Sequence, residues 1–178
     1  MTEKTSRFDD PGFDPAVHAR LSAESLAVVQ RMEDALASGS NDMGAHFHGD
    51  FRWIGNCGCG LKEGVDAFRR NWQLPFRAAF SDRTYLTERF MADGEWVSCF
   101  GHIEATHSGV FMGIEPTGKR IRIPYIDFWM IRDGKIVDNW VSVDFALVLS
   151  QLGRDVFGGE GWEAFDRGEK TPPTPSAI

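Results

Sequence analysis

Three groupings of side chains in this 178-residue chain could do chemistry. Asp144 ends an apolar strand-like run, with Trp140 and Tyr125 expected on its side. Burial beside aromatic walls disfavours a carboxylate's charged form, so its proton affinity rises toward neutrality, as acid/base catalysis needs. Asp144 also precedes the apolar run Phe145 to Leu152, where Asp is a good N-cap, and the spacing leaves cap and catalyst both open. His107, late in a long strand within Ala105-Thr106-His107-Ser108-Gly109, is a candidate second acid/base or orienting group, against the plainer reading of a histidine hydrogen-bonded in place. His46-x-His48 with Cys57-x-Cys59 is the one cluster with metal-ligand chemistry. One-residue spacings suit zinc knuckles poorly, so no metal site is expected.

Other templates fail. The chain has no Gly-rich phosphate loop, nucleotide fingerprint, Gly-x-Ser-x-Gly elbow or His-Glu-x-x-His pair, so serine or nucleotide mechanisms and a bound cofactor are not expected. A formal charge of −7 and a pI near 5.2 argue against nucleic acid or an anionic membrane as partner and favour a small apolar or aromatic molecule. Three cysteines cannot all pair, and no apolar run approaches the length of a membrane helix, so a cytoplasmic location is expected.

The elements that must position these residues follow from periodicity. Residues 1–20 read as an N-terminal arm broken by Pro11, Gly12 and Pro15, with Phe8 and Phe13 available to clasp a neighbour. Ser22 is placed to cap a helix carrying Leu26, Val29, Met32 and Leu36 at helical spacing, ended by Gly39. A short helix over 41–47 and a strand over 50–54, with Phe51 and Trp53 on one side, lead to a glycine-rich loop. Leu61 to about Ser81 carries Val65, Phe68, Trp72, Phe76 and Phe80 as one helical stripe, kinked at Pro75. Strands then run over 83–92, 95–111, 120–131 and onward from 136, and a helix over 145–152 stops at Gly153. Residues 154–178 read as a poorly ordered extension in which Val156, Phe157, Trp162 and Phe165 could dock.

Asp133-Gly134 is a two-residue hairpin signal. A regular ladder from it pairs Trp129 with Asp138, Asp127 with Trp140, Tyr125 with Ser142 and Ile123 with Asp144 on one face. The other face carries Ile126, Phe128, Met130, Val137, Val141 and Val143, with Asn139 its one polar member. Neither looks like an ordinary wet face, so one is expected to meet helices around a pocket and the other a second subunit. A different loop would flip the faces. Helices followed by long antiparallel strands give an α+β domain with a curved sheet.

The motifs Gly113-Ile114-Glu115-Pro116-Thr117-Gly118-Lys119, Ile126-Asp127-Phe128-Trp129, Asp133-Gly134-Lys135-Ile136, Trp140 with Asp144, and Gln151-Leu152-Gly153 resemble the SnoaL-like polyketide cyclases, or ester cyclases, of the nuclear-transport-factor-2-like superfamily. The likeness spans residues 21–153 and leaves the arm and extension outside. It implies a cone-shaped α+β fold with three N-terminal helices around a pocket, a homodimer formed through the outer sheet face, and aldol-type ring closure of aromatic polyketide esters without metal or cofactor. It also implies an aspartate as general acid/base, at Asp144, with His107 in a Thr-His-x-Gly motif assisting. Trp53, Trp72, Tyr125 and Trp140 would wall the substrate slot and Asp127 would bind a substrate hydroxyl. Two alternatives stay open: a non-catalytic binding or dimerisation module, and an isomerase or epoxide-hydrolase-type enzyme in which Arg89, Asp127 and Asp144 converge on a water.

Overall fold

The structure, a computed structural model, describes residues 12–38 and 42–173. Helix α1 (Pro15–Ala37) starts seven residues before the expected cap. Asp14 caps it, accepting from the N–H groups of Ala16 at 2.8 Å and Val17 at 3.3 Å, and Pro15 occupies the first turn, where its missing N–H costs nothing. Pro15 therefore begins the helix instead of breaking an arm. Ser22 lies inside α1, where its hydroxyl donates to the His18 carbonyl and accepts from the Gly94 N–H. Phe13 packs against the His18 ring, whereas Phe8 and Gly39 fall outside the described residues.

A short 3-10 turn (Met43–Ala45) precedes β1 (Phe47–Gly55) and β2 (Leu61–Glu63). The expected single helix over 61–81 is a strand followed by α2 (Val65–Phe68), a wider π-type turn (Arg69–Gln73) and α3 (Leu74–Ala79). Pro75 lacks the N–H that would bond back to Asn71, and the π-type turn sits where that ladder is interrupted. The remaining strands are β3 (Phe80–Asp93), β4 (Trp96–His107), β5 (Arg120–Arg132) and β6 (Lys135–Val143), followed by α4 (Phe145–Gln151) and α5 (Glu163–Asp166). The six strands form one curved sheet in the order β2-β1-β6-β5-β4-β3, antiparallel except where β1 runs parallel to β6. Helix α1 packs on β3 to β6, and α2 on β1 and β2, which closes the inner face.

The 133–134 hairpin forms, but its ladder is not regular. Arg132 pairs with Lys135 and Ile131 with Ile136 as the turn dictates; the register then slips, so that Met130 faces Asp138, Trp129 faces Asn139, Phe128 faces Trp140 and Tyr125 faces Val143. One extra residue at Val137 turns the rest of β6 over relative to β5, as a bulge must. The inner face therefore carries Ile123, Tyr125, Asp127 and Trp129 beside Asn139, Val141 and Val143. Asp138, Trp140 and Ser142 move to the outer face with Ile126, Phe128 and Met130. Trp140 is 48% exposed there, so it does not wall the interior with Tyr125. Asp138 is held by Arg52 through two bonds of 2.8 and 2.7 Å and does not join Asp127 in an acidic face.

In the C-terminal segment Val156 and Phe157 stay largely exposed and Trp162 is 78% exposed, so Trp162 does not dock. Among the described residues no helix is long and apolar enough to cross a membrane.

Candidate active site

Inside the sheet, at the level where Asp127 of β5 lies between Cys99 of β4 and Val141 of β6, a polar cluster interrupts an otherwise apolar lining. Asn139 donates to one Asp127 carboxyl oxygen at 2.7 Å. Two residues along β5 on the same face, the Tyr125 hydroxyl shares a 2.7 Å hydrogen bond with Thr87. Asp127 lies deep within the fold on the inner face of the sheet yet keeps some accessible surface. Glu33, on the inward stripe of α1 four residues after the fully buried Val29, is half-buried on the helix side.

Burial pushes the Asp127 carboxyl up to about 7, and the Asn139 hydrogen bond opposes that only in part. Glu33 also rises to about 7, first through burial, then through the nearby charges of Asp127 and Asp34. Burial raises the Cys99 thiol, and Asp127 and Glu33 raise it further, so it stays protonated at neutral pH and is no nucleophile. The Tyr125 phenol is likewise pushed up by burial and remains a donor. Two carboxyl groups poised near neutrality beside a phenol and an amide can take and return protons without bulk water.

Of the residues singled out from sequence, Asp144 and Tyr125 line one groove, and the others lie elsewhere. Asp144 is exposed and caps α4, accepting from the Leu147 N–H at 2.9 Å. Its backbone N–H bonds to the Pro124 carbonyl, on the far side from the expected partner Ile123, because the slip at Val137 moves it out of the interior. It lines an open, mostly apolar groove of about 680 Å³ together with Tyr125, Asn56, Met112, Phe145 and Phe157. His107 is fully buried, and its Nδ1 accepts from the Thr117 N–H at 3.3 Å and lies 3.0 Å from the Thr117 hydroxyl, so it pins the 116–118 turn. It stands eight residues beyond Cys99 on β4, roughly 26 Å of strand from the Asp127 level. Trp53 is buried with its ring 4.3 Å from the half-buried Trp72, which stacks on Phe76. Both fill the aromatic core on the helix side. Arg89 pairs with Phe100 on the outer face, so Arg89, Asp127 and Asp144 do not converge on a water. Among the described residues no three His, Cys, Asp or Glu side chains are grouped to hold a metal, the 46–48 and 57–59 segments included.

Sequence reasoning missed Glu33 and Asn139 as site residues. Both left a signal: Glu33 sits at the i+4 position of an apolar helical stripe, and Asn139 is the lone polar residue on a greasy strand face.

A sequence profile describing SnoaL-like polyketide cyclases matches residues 26–152. Nogalonic acid methyl ester cyclase of Streptomyces nogalater is 31% identical over 126 residues, covering 69% of this chain and 92% of that protein. Among solved structures, AclR of Streptomyces galilaeus, provisionally assigned as a hydroxylase, superposes with a TM-score of 0.64 at 26% identity over 74% of this chain and 97% of its own. IdmH of Streptomyces antibioticus, provisionally assigned as a polyketide cyclase, gives 0.64 at 23% identity over 73% and 99%.

Proposed function

The chain belongs to the SnoaL-like polyketide cyclase family, and on that premise we propose that it closes a ring in an aromatic or polyketide-like ester by cofactor-independent acid/base chemistry, with Asp127 moving the proton. The observation that carries this reading is a deep carboxyl that keeps some accessible surface, held by Asn139 and poised near neutrality, on the inner face of the sheet. Asp127 as carboxylate takes a proton from the carbon next to a carbonyl, and the C–H electron pair becomes the enolate. The enolate carbon attacks a second carbonyl of the same molecule, forming the C–C bond, and the proton on Asp127 passes to the new alkoxide. Atoms balance without an oxidant or reductant. Tyr125, a hydroxyl that keeps its proton, is the donor on the same face for the developing enolate oxygen.

A second reading keeps Asp144 as the acid/base, favoured by the apolar groove it lines and weakened by its exposure and its capping bond. Cyclisation of nogalonic acid methyl ester and related aromatic polyketide esters by Asp127→Asn and Asp144→Asn separates the two, because the group that moves the proton is the one whose loss stops turnover. Ester binding by the wild type without any cyclisation would instead favour a non-catalytic binding module.

The outer face displays Trp96, Phe100, Ile126, Phe128 and Trp140 at exposures between 37% and 49%. So large an apolar patch favours a partner, and a second copy of the chain is the proposed one. Replacing Phe128 and Trp140 together by Glu should then yield monomers in sedimentation experiments. An unchanged mass for that variant, or a wild type already monomeric at micromolar concentration, would sink the dimer.

A further inference from the structure

We propose that Phe157 is a specificity-determining residue: with Val156 it forms part of the wall of the groove lined by Asp144 and Tyr125, and it suits that groove to the uncharged ring system of an aromatic ester. The inference rests on the ester reading of the preceding section and holds whichever aspartate moves the proton. The groove, of about 680 Å³, falls within the roughly 300–1,000 Å³ typical of small-molecule sites. Its lining is mostly apolar. Among the described residues that line it Asp144 is the one charged group and none is a cation, so a neutral ester fits where a free carboxylic acid would meet a like charge. Tyr125 belongs both to this groove and to the inner-face cluster, two residues along β5 from Asp127.

Val156 and Phe157 lie beyond the span matched to the family, so this part of the wall is the chain's own. It is fastened at several points. The Arg154 N–H donates to the Leu149 carbonyl at 2.8 Å, and the Arg154 guanidinium donates to the Met112 carbonyl at 2.9 Å. The Asp155 carboxylate accepts from the Phe157 N–H at 2.8 Å and the Gly159 N–H at 2.5 Å, and Gly158 and Gly159 both take the left-handed backbone that turns the chain back. Asp155 is thereby a positioning residue for Phe157. Elsewhere in the lining, the Asn56 amide bonds both backbone groups of Val143, at 3.1 and 3.3 Å. Phe157 nonetheless stays 56% exposed. A ring on a fixed backbone with more than half its surface uncovered has apolar area to give a ligand and little ordering to lose on binding.

Cys57, the one exposed cysteine of the three, also lines the groove, so its alkylation by iodoacetamide reports whether the groove is occupied. The test follows that alkylation by mass spectrometry on the full chain, with increasing nogalonic acid methyl ester or free nogalonic acid, in the wild type, Phe157→Ala, Phe157→Tyr and Asp155→Ala. Steady-state cyclisation of the ester is measured beside it. In the wild type the ester should protect Cys57 at concentrations about fivefold below those of the acid. Phe157→Ala should need about tenfold more ester for equal protection and show a matching rise in KM with kcat within a few fold, and Phe157→Tyr should restore both. Asp155→Ala should raise KM by a smaller factor, about threefold, because the ring remains but its turn is untied. Equal protection of the wild type and Phe157→Ala, or stronger protection by the acid, overturns the inference. Turnover by a wild type whose Cys57 alkylation the ester does not slow overturns it too and leaves the acid/base reading standing. Protection that depends on Phe157 without any turnover supports the groove assignment and removes the acid/base reading.

Discussion

Asp127 and Asp144 are the same side chain in opposite settings. Asp127 sits inside the cone with a single amide donor, and its charged form is penalised by burial. Asp144 stands at the rim, exposed, and gives its carboxylate to the first turn of α4. The contrast teaches that depth and the number of donors that meet a carboxyl, not aromatic neighbours in sequence, set its proton affinity.

The largest effect expected from this contrast is on turnover of an aromatic polyketide ester. Asp127→Asn should lose roughly 10²- to 10⁴-fold, the usual contribution of a positioned acid/base group, while Asp144→Asn stays within a few fold. Steady-state kinetics with both variants checks it, and equal losses would erase the distinction.

Next comes the pH dependence of stability. Folding raises the Asp127 carboxyl from 3.8 to about 7, so between those values the unfolded chain releases a proton that the native state still holds. Stability from this group is therefore fully present below about pH 4, falls as pH rises toward 7, and is level above. Asp127→Asn removes that slope and should gain at most about 4 kcal/mol at pH 8 relative to pH 4, by denaturant unfolding at both pH values. A wild-type profile that stays flat across this window would mean that Asp127 is effectively solvated.

Smaller still is the consequence of removing Asn139. Asn139→Ala takes away the one bond that favours the Asp127 anion, so the acid limb of the rate profile should move to higher pH by about one unit. An unmoved limb would indicate that some other group titrates there. At the rim the change should be slightest: Asp144→Ala should cost about 1 kcal/mol of stability, as loss of an N-cap does, with the turnover profile unchanged.

Much of the fold is legible in the sequence. The two-residue turn at Asp133-Gly134, the strand from Arg120 and the α4 run are all visible from local patterns. Local patterns do not carry the register beyond the turn. Ile136 and Val137 are both buried, as are Asp138 and Asn139, and such a run signals a bulge whose position is set by pairing with β5 on one side and with β1 on the other. On that parallel partner Arg52 lies 86 residues from Asp138 in the chain, beyond any local reading. The start of α1 is hidden for a simpler reason, since Asp14-Pro15 has the composition of a breaker and acts as a cap followed by a first-turn proline. For the site, Asp127 is legible as a polar residue among aromatics, but its depth is not. Glu33 looks like one more charge on a solvated helix until the packing of α1 on the sheet defines which stripe faces in.

The slip at Val137 also bears on how such a pocket can change over generations. Losing the single codon for Val137 would take out the bulge and leave the later pairs as they stand, Trp129 with Asn139, Asp127 with Val141 and Tyr125 with Val143, so the inward complement of β6 would survive. The bulge thus gives this hairpin one residue of slack, which absorbs a deletion without exchanging the inward face, and the lining of β6 then changes only by substitution at Asn139, Val141 and Val143.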